Sequence, residues 1–468
     1  MKALEMPLLI PVEGQVRELD AKLLLTCIAA RRGFSSVIGP RKEIHFRIPS
    51  FPRSIYLSKS ITSGSDNVFR ILRKLGHEIV AWDEDALVHL PPETYFSRRV
   101  SPVAVNYVSH LMAWGQDNAE LWRQYPQLPK GIPIHVTGNS RGDMLRPELR
   151  AFYQKEVENL RETHGDFILI NTNFNHVNAF YPIRNLFQPA KKPGEKSKFG
   201  RAAKGMTREF AEGFQHHKQA LFEDFQQLIP ALDREFPDYT IIVRPHPVEK
   251  HDIYQKIAAQ CKRVRVTNEG NVVPWLMATK ALIHNGCTTG VEAYVIGVPT
   301  ISYRATVNDY YDQDFYRLPN MLSHQCFDCE ELRVTLKSIL VGELGTADGV
   351  ERQKLIDHHL AALDGPLACE RIVDVLVEIA ASRSEELPKP TLPDRLKGWF
   401  KSSSRTLKKK YKSHFSASHN RPEFLRHRYP GISLEEVRIR ISRFQQVLDD
   451  RTELKIEEIA DQIFRLSI

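Results

Sequence analysis

Apolar residues along this chain fall into short runs, each followed by a polar turn and a longer stretch of helical periodicity. That alternation predicts parallel α/β domains. Residues 7–12 (PLLIPV) read as a buried first strand. Residues 13–20 then carry the chain into a helix to about residue 32, with Leu23, Leu24, Leu25, Ile28 and Ala29 in its body. Gly33 stops the helix, and 34–38 is the next strand. Further strands are expected at 55–57, 77–82 and 134–137, with a helix at about 66–75, and residues 105–113 lead into the turn at 114–117. A charged helical stretch, 147–163, leads out of this first half.

The pattern restarts at 167–170, an apolar strand that runs into Asn171, Thr172 and Asn173. A long helix is expected at about 207–236, strands at 240–243 and 264–266, and a helix at 272–279. Residues 189–204, rich in Lys, Gly and Pro, read as a loop. The clearest signal is 281–304, ALIHNGCTTGVEAYVIGVPTISYR. A short apolar run ends in a glycine-bearing polar turn, His284 to Gly290. A helix with one carboxylate fills 291–296, Gly297 stops it, and 298–301 starts a strand. This is one βαβ step. Helices at about 329–341, 350–363 and 366–381 are expected to close the second half. Pro388, Pro390 and Pro393 then mark a linker, and 434–448 and 456–466 carry amphipathic helical patterns. Domains are therefore expected at 1–160 and 161–382, followed by a basic linker, 383–417, and a helical extension, 418–468.

The turn at 284–290 lies at a helix N-terminus, where backbone N–H groups and the helix dipole attract phosphate. Thr288 and Thr289 add hydroxyl donors, and Glu292 is placed to accept from a ribose hydroxyl. The same residues also read as a tight connection whose threonines cap a helix. Upstream, Arg244-Pro245-His246-Pro247 ends a strand. An imidazole held between prolines can donate to a phosphate oxygen, and Arg244 adds charge. In the first half Glu13, Asp20, Asp83, Glu84 and Asp85 follow strands, with Arg17 beside Glu13 in sequence. Transfer at a sugar carbon needs a carboxylate as general base or nucleophile. A solvated acidic turn is the plain alternative for 83–85. Asn171, Asn173 and His176 are placed to orient substrate hydroxyls or to satisfy loop backbone.

The 468 residues, 42% apolar and 26% charged, give room for two or three globular domains. No apolar run is long enough to span a membrane, and the apolar N-terminal stretch is too short for a signal peptide. Six scattered cysteines fit a reduced cytoplasm. Cys326 and Cys329 form a lone CxxC without the second ligand pair of a structural zinc, so no metal is expected. The net charge of +8 is concentrated: residues 389–412 hold nine Lys/Arg and one Asp, which is itself +8. The remainder is near neutral, which excludes a nucleic-acid binder with a basic folded face.

HNGCTTGVEAYVIGVPTISYR together with RPHP resembles the nucleotide-binding half of GT-B glycosyltransferases. The resemblance is in particular to bacterial surface carbohydrate biosynthesis proteins, and more distantly to CMP-sugar transferases, the bacterial sialyltransferases and Kdo transferases. LLIPVEGQVRELDAKLLL, AWGQDNAELW and TGNSRGDMLRPEL resemble the surface-carbohydrate proteins as well, so the likeness covers about residues 5–380. It implies a GT-B-like α/β fold, two Rossmann-like domains facing across a cleft. It implies that His246 and Pro247 meet the CMP, and Thr288 and Thr289 its phosphate. With them, Arg244, His284, Asn285, Gly286 and Glu292 line the nucleotide side, and Arg17, Asn171 and Asn173 the substrate. Asp83-Glu84-Asp85 stands where those families carry a catalytic acidic motif, although Ala86 replaces the glycine that ends it.

The implied activity is transfer of Kdo or a related ulosonic acid from a CMP-activated donor to a surface polysaccharide or lipid-linked acceptor, with no cofactor. Polyol-phosphate transfer from CDP-glycerol, nucleotide-sugar epimerisation and a non-catalytic scaffold are the alternatives on such a fold. The stretch 389–412 is expected to reach an anionic membrane surface, making the protein cytoplasmic and peripheral. Lysines and arginines supply charge, and a helix there puts Leu396, Trp399, Phe400 and Leu407 roughly on one face. A solvated linker is the alternative.

Overall fold

The structure, a computed structural model, describes residues 6–190, 197–312, 314–386, 390–415 and 421–468. The chain forms two compact units. One comprises Met1–Leu87, Tyr95–Phe152 and Asp357–Ile468, the other Val88–Thr94 and Tyr153–Ile356.

The first unit is built on β1 (Leu8–Val12), β2 (Ser36–Pro40), β3 (Ile55–Ser58), β4 (Glu78–Ala81), β5 (His110–Ala113) and β6 (Ile134–Val136). These strands are parallel, in the order β2-β1-β3-β4-β5-β6. Every residue of β1 is buried, as the continuous apolar run requires of a strand covered on both faces. Helix α1 (Gln15–Arg31) follows β1, and α2 (Asp66–Lys74) follows β3. Strand order reverses between β1 and β3.

The second unit opens with β7 (Phe167–Asn171). A short antiparallel hairpin, β8 (Phe187–Gln188) and β9 (Lys198–Phe199), precedes β10 (Thr240–Arg244), β11 (Val264–Val266), β12 (Ala281–His284), β13 (Thr300–Tyr303) and β14 (His324–Cys326). The sheet order β11-β10-β7-β12-β13-β14 is that of a dinucleotide-binding fold, and every pairing is parallel. The long helix α3 (Arg208–Glu235) buries Phe222, Phe225, Leu228, Ile229 and Leu232 in the core with Ile168, Ile241 and Ile283 of the sheet. Each such side chain stabilises by about 1.5–3 kcal/mol. Helix α4 (Asp252–Ala258) follows β10, and α5 (Thr289–Ile296) follows β12. Both α4 and β14 have no counterpart in the sequence reading.

From Asp357 the chain returns to the first unit. Helix α6 (Ala368–Glu386) packs on α1, and its first amides, Ala368 and Cys369, donate to the buried Asp143 carboxylate at 2.7 and 2.8 Å. The helix expected to close the second domain thus belongs to the first unit. Helix α7 (Leu392–Lys412) lies on α2, and α8 (Leu434–Val447) lies on α1.

The end of the chain corrects the sequence reading. Residues 456–466 were expected as a helix but form a hairpin, β15 (Lys455–Ala460) and β16 (Ile463–Ser467). Strand β16 pairs antiparallel with β2, Phe464 opposite Ile38. Ile456, Ile459, Ile463 and Leu466 do have helical spacing, but β2 offers an open edge of main-chain partners that only a strand can use. Gly39 permits the approach: a Cβ there would stand 2.7 Å from the Gln462 carbonyl oxygen.

Among the described residues no helix is long and apolar enough to cross a membrane, and no three His, Cys, Asp or Glu are grouped to hold a metal. Residues 191–196 of the expected loop, with Pro388 and Lys389, lie outside the described residues.

Candidate functional site

In an open α/β sheet a ligand lies beyond the carboxyl ends of the strands, where strand order reverses. In the second unit that point is between β7 and β12, whose last residues, Asn171 and His284, are register partners. Asn285 Oδ1 accepts from Asn173 N at 2.8 Å and ties the two following loops together. Both ends of the Asn171 amide and Nδ2 of Asn285 have no hydrogen-bond partner among the described residues, although each side chain is only 4% exposed. A buried polar group in that state costs about 1–3 kcal/mol, a cost that a ligand supplying partners would remove.

His284 shapes the turn itself. Its Nδ1 accepts from Gly286 N at 2.9 Å and Cys287 N at 3.3 Å, so the proton sits on Nε2 and is donated to Ser323 Oγ at 2.9 Å. Burial holds its pKa down at about 3, and the ring is neutral. Gly286 has φ +81°, and a Cβ there would stand 2.5 Å from the Tyr316 ring, so only glycine serves. Thr288 opens α5, but its side chain makes no capping hydrogen bond. Capping is therefore not what this threonine does. Thr289 is the first residue of α5, beside the Cys287 thiol, whose pKa burial pushes up. Glu292 is buried in the first turn of α5.

The loop after β10 approaches the loop after β7 through Glu249, a residue the sequence reading missed. Buried Glu249 Oε1 accepts from Thr172 Oγ1 at 3.0 Å, Phe174 N at 2.9 Å and His246 N at 3.2 Å. Its Oε2 accepts from Tyr254 Oη at 2.7 Å. Burial raises its pKa. The available signal was a carboxylate three residues past the histidine of RPHP. Half-buried His246 accepts from Val248 N at its Nδ1 (3.3 Å), which leaves Nε2 as the protonated nitrogen. Pro247 is exposed. Arg244 is occupied elsewhere: it donates to the Glu269 and Gly270 carbonyls at 2.7 and 3.1 Å and lies 4.7 Å from the Trp275 ring centroid. Burial lowers its pKa to about 10.

Behind Gly286, Tyr316 carries the Lys218 ammonium 3.6 Å from its ring centroid. Lys218 is buried, and burial lowers its pKa to about 8. Asp312 braces this layer, meeting His217 Nε2 at 2.8 Å and Arg304 at 3.1 Å.

The switch point of the first unit is made of charge. Glu18, in the first turn of α1, accepts from Glu13 N, Gly14 N, Lys22 Nζ and Lys59 Nζ at 3.1, 3.2, 2.7 and 2.7 Å. The chain's own carboxylate thus fills the anion position at this helix N-terminus. Glu13 pairs with Lys59 at 3.1 Å, Arg41 at 2.9 Å and Arg428. Burial would raise its pKa, but the three cations hold it down at about 2. Arg17 donates to Asp85 at 3.0 Å, and Arg99 meets Asp85 at 3.1 Å. These two guanidinium groups hold the exposed Asp85 carboxyl below the usual range.

The other three carboxylates are engaged in structural pairs. Buried Asp83 takes Tyr95 Oη at 2.9 Å and Arg99. Buried Glu84 takes Trp82 Nε1 at 2.7 Å. Asp20 pairs with Arg440 of α8. Glu13, Arg17 and Asp85 are thus brought into one charged neighbourhood, while Asp20 serves the docking of α8.

No protein-family model matches the chain, and no curated protein sequence matches it. Among solved structures it is similar to the wall teichoic acid polymerase TagF soaked with CDPG, at 12% identity over 81% of this chain and 90% of that one, TM-score 0.47. It is similar to the UDP-GlcNAc 2-epimerase of Neisseria meningitidis bound to UDP-GlcNAc, at 11% identity over 81% and 100%, TM-score 0.46. It is also similar to Anabaena HepE in complex with UDP and glucose, at 14% identity over 81% and 99%, TM-score 0.41.

Proposed function

We propose that the chain is a glycosyltransferase. The donor nucleotide is held at the switch point of β7 and β12, and we infer that Glu13 is the catalytic carboxylate. The observation that carries this is the pair of buried amides, Asn171 and Asn285, with unmet hydrogen-bonding capacity at two adjacent strand ends. Such amides suit ribose hydroxyls or the edge of a base. The protonated Nε2 of His246 and the hydroxyls of Thr288 and Thr289 suit phosphate oxygens. A carboxylate with a pKa of about 2 is a poor general base but remains ionised at any working pH, which suits a nucleophile or a stabiliser of oxocarbenium charge.

The donor we infer is CMP-activated Kdo or a related ulosonic acid, and the acceptor a surface polysaccharide or lipid-linked glycan. The resemblance of RPHP and HNGCTTG to CMP-sugar transferases supports this choice. The test is release of nucleotide from CMP-Kdo, from other nucleotide sugars and from CDP-glycerol by the purified protein. Release of CMP from CMP-Kdo supports the proposal. Turnover of CDP-glycerol alone moves the chemistry to polyol-phosphate transfer, and interconversion of a UDP-sugar without release moves it to epimerisation. Nucleotide binding without any turnover makes the protein a scaffold.

A further inference from the structure

Helix α7 is amphipathic in the opposite sense from a helix that packs by its apolar side. It rests on the first unit through small residues, with Gly398 and Ser402 buried. A Cβ on Gly398 would stand 3.0 Å from carbons of Leu75, just beyond α2. Lys74 pairs with Asp394 at 3.1 Å and fixes the start of the helix. The large apolar residues are turned outward: Trp399 is 51% exposed, Phe400 64%, Leu407 67% and Tyr411 69%, with Leu392 and Leu396 also exposed. At helical spacing these side chains form one stripe, opposite Gly398 and Ser402.

Exposed Lys397, Lys401 and Lys408 form one border of the stripe. At the start of the helix a cavity of about 340 Å³ is lined by Arg53, Arg70, Arg73 and Lys74, with Asp394 as the only carboxylate among the described lining residues. An exposed apolar stripe of this kind marks an interaction surface.

We propose that α7 is an interfacial helix. It lies in the plane of an anionic bilayer, with Leu396, Trp399, Phe400 and Leu407 among the acyl chains and the lysines on the headgroups. The inference rests on the exposed stripe and its charged border, not on the glycosyl-transfer reading. Charge favours lipid over a second copy of the chain, since a two-fold contact through α7 would bring lysine borders of like sign together. A nucleic acid would match the lysines but leave the apolar stripe uncovered.

The test uses the intrinsic fluorescence of the full chain with phosphatidylcholine vesicles and with vesicles that also contain phosphatidylglycerol. Trp82, Trp114, Trp122 and Trp275 are buried, so Trp399 is the tryptophan open to a soluble quencher. Phosphatidylglycerol vesicles should sediment the protein, shift its emission to the blue and shield Trp399 from acrylamide. Reversing Lys397, Lys401 and Lys408 to Glu should weaken binding by roughly fivefold or more per lysine. Phe400→Ala should weaken it roughly tenfold without lowering Tm, because the side chain is exposed in the free protein. No binding at low salt, binding that leaves Trp399 open to quencher, or Trp399 shielded by concentration-dependent self-association without lipid would each overturn the proposal.

Discussion

The two switch points make the instructive comparison. Each lies where a parallel sheet reverses its strand order, and each is followed by a helix with a glutamate in its first turn, Glu18 in α1 and Glu292 in α5. In the first unit the amides of the turn donate to the Glu18 carboxylate, and Lys22, Lys59, Glu13 and Arg41 surround it with paired charge. In the second unit the amides of the turn donate to a neutral imidazole, His284, and the adjoining asparagines are left with open capacity. An anion arriving at the first helix meets a carboxylate already in place. The same fold thus yields one switch point filled with paired charge and one with unmet neutral hydrogen-bonding capacity.

The largest expected effect breaks the comparison at its charged end. Glu13→Gln should lower donor turnover by roughly 10²–10⁴-fold while the Kd for nucleotide stays unchanged. Wild-type turnover in this variant would remove Glu13 from the chemistry. Asp20→Asn serves as contrast: it should lower stability by loosening Arg440 and α8, and leave kcat intact.

The next effect is at the neutral end. The double change Thr288→Ala and Thr289→Ala should cost about 1.5–3 kcal/mol of nucleotide binding for each hydrogen bond lost to a charged phosphate. Isothermal titration with CMP measures it. Asn171→Ala should raise the nucleotide Kd by roughly tenfold, near 1.4 kcal/mol, yet hold Tm, since its amide has no partner among the described residues to lose in the free protein. A large drop in Tm with unchanged affinity would make Asn171 a structural residue.

A further effect is one of pH. His284 has a folded pKa of about 3 against an ordinary 6.5, so its contribution to stability is complete above pH 6.5 and is lost as pH falls toward 3. The slope is about 1.4 kcal/mol per pH unit, read by urea unfolding across that range. His284→Gln should flatten it.

Much of both sheets was legible because buried parallel strands read as apolar runs closed by polar turns. β1, β3, β7, β10 and β12 are of this kind, and their ends carry Glu13, Asn171, Arg244 and His284. What was not legible depended on distant partners. The spacing of Ile456, Ile459, Ile463 and Leu466 suits a helix, and only the open edge of β2 makes it a hairpin. Residues 357–468 pack on the first unit through contacts that no local pattern announces, such as Asp143 with the start of α6. Glu249 and Glu18 were missed because each is a buried acceptor for several donors, which the sequence shows only as a single carboxylate. Arg244 was read as a phosphate ligand for its charge, and the fold spends that charge on two carbonyl groups and the Trp275 ring.

The central claim, that a nucleotide occupies the second switch point, is tested most directly by thermal unfolding with CMP, CDP and UDP. CMP or CDP, at about a hundred times its Kd, should stabilise the wild-type chain by about 2.7 kcal/mol. The same shift should appear in Glu13→Gln and vanish when Thr288 and Thr289 are both Ala. No shift with any of the three nucleotides, or a full shift in the double-threonine variant, would contradict it.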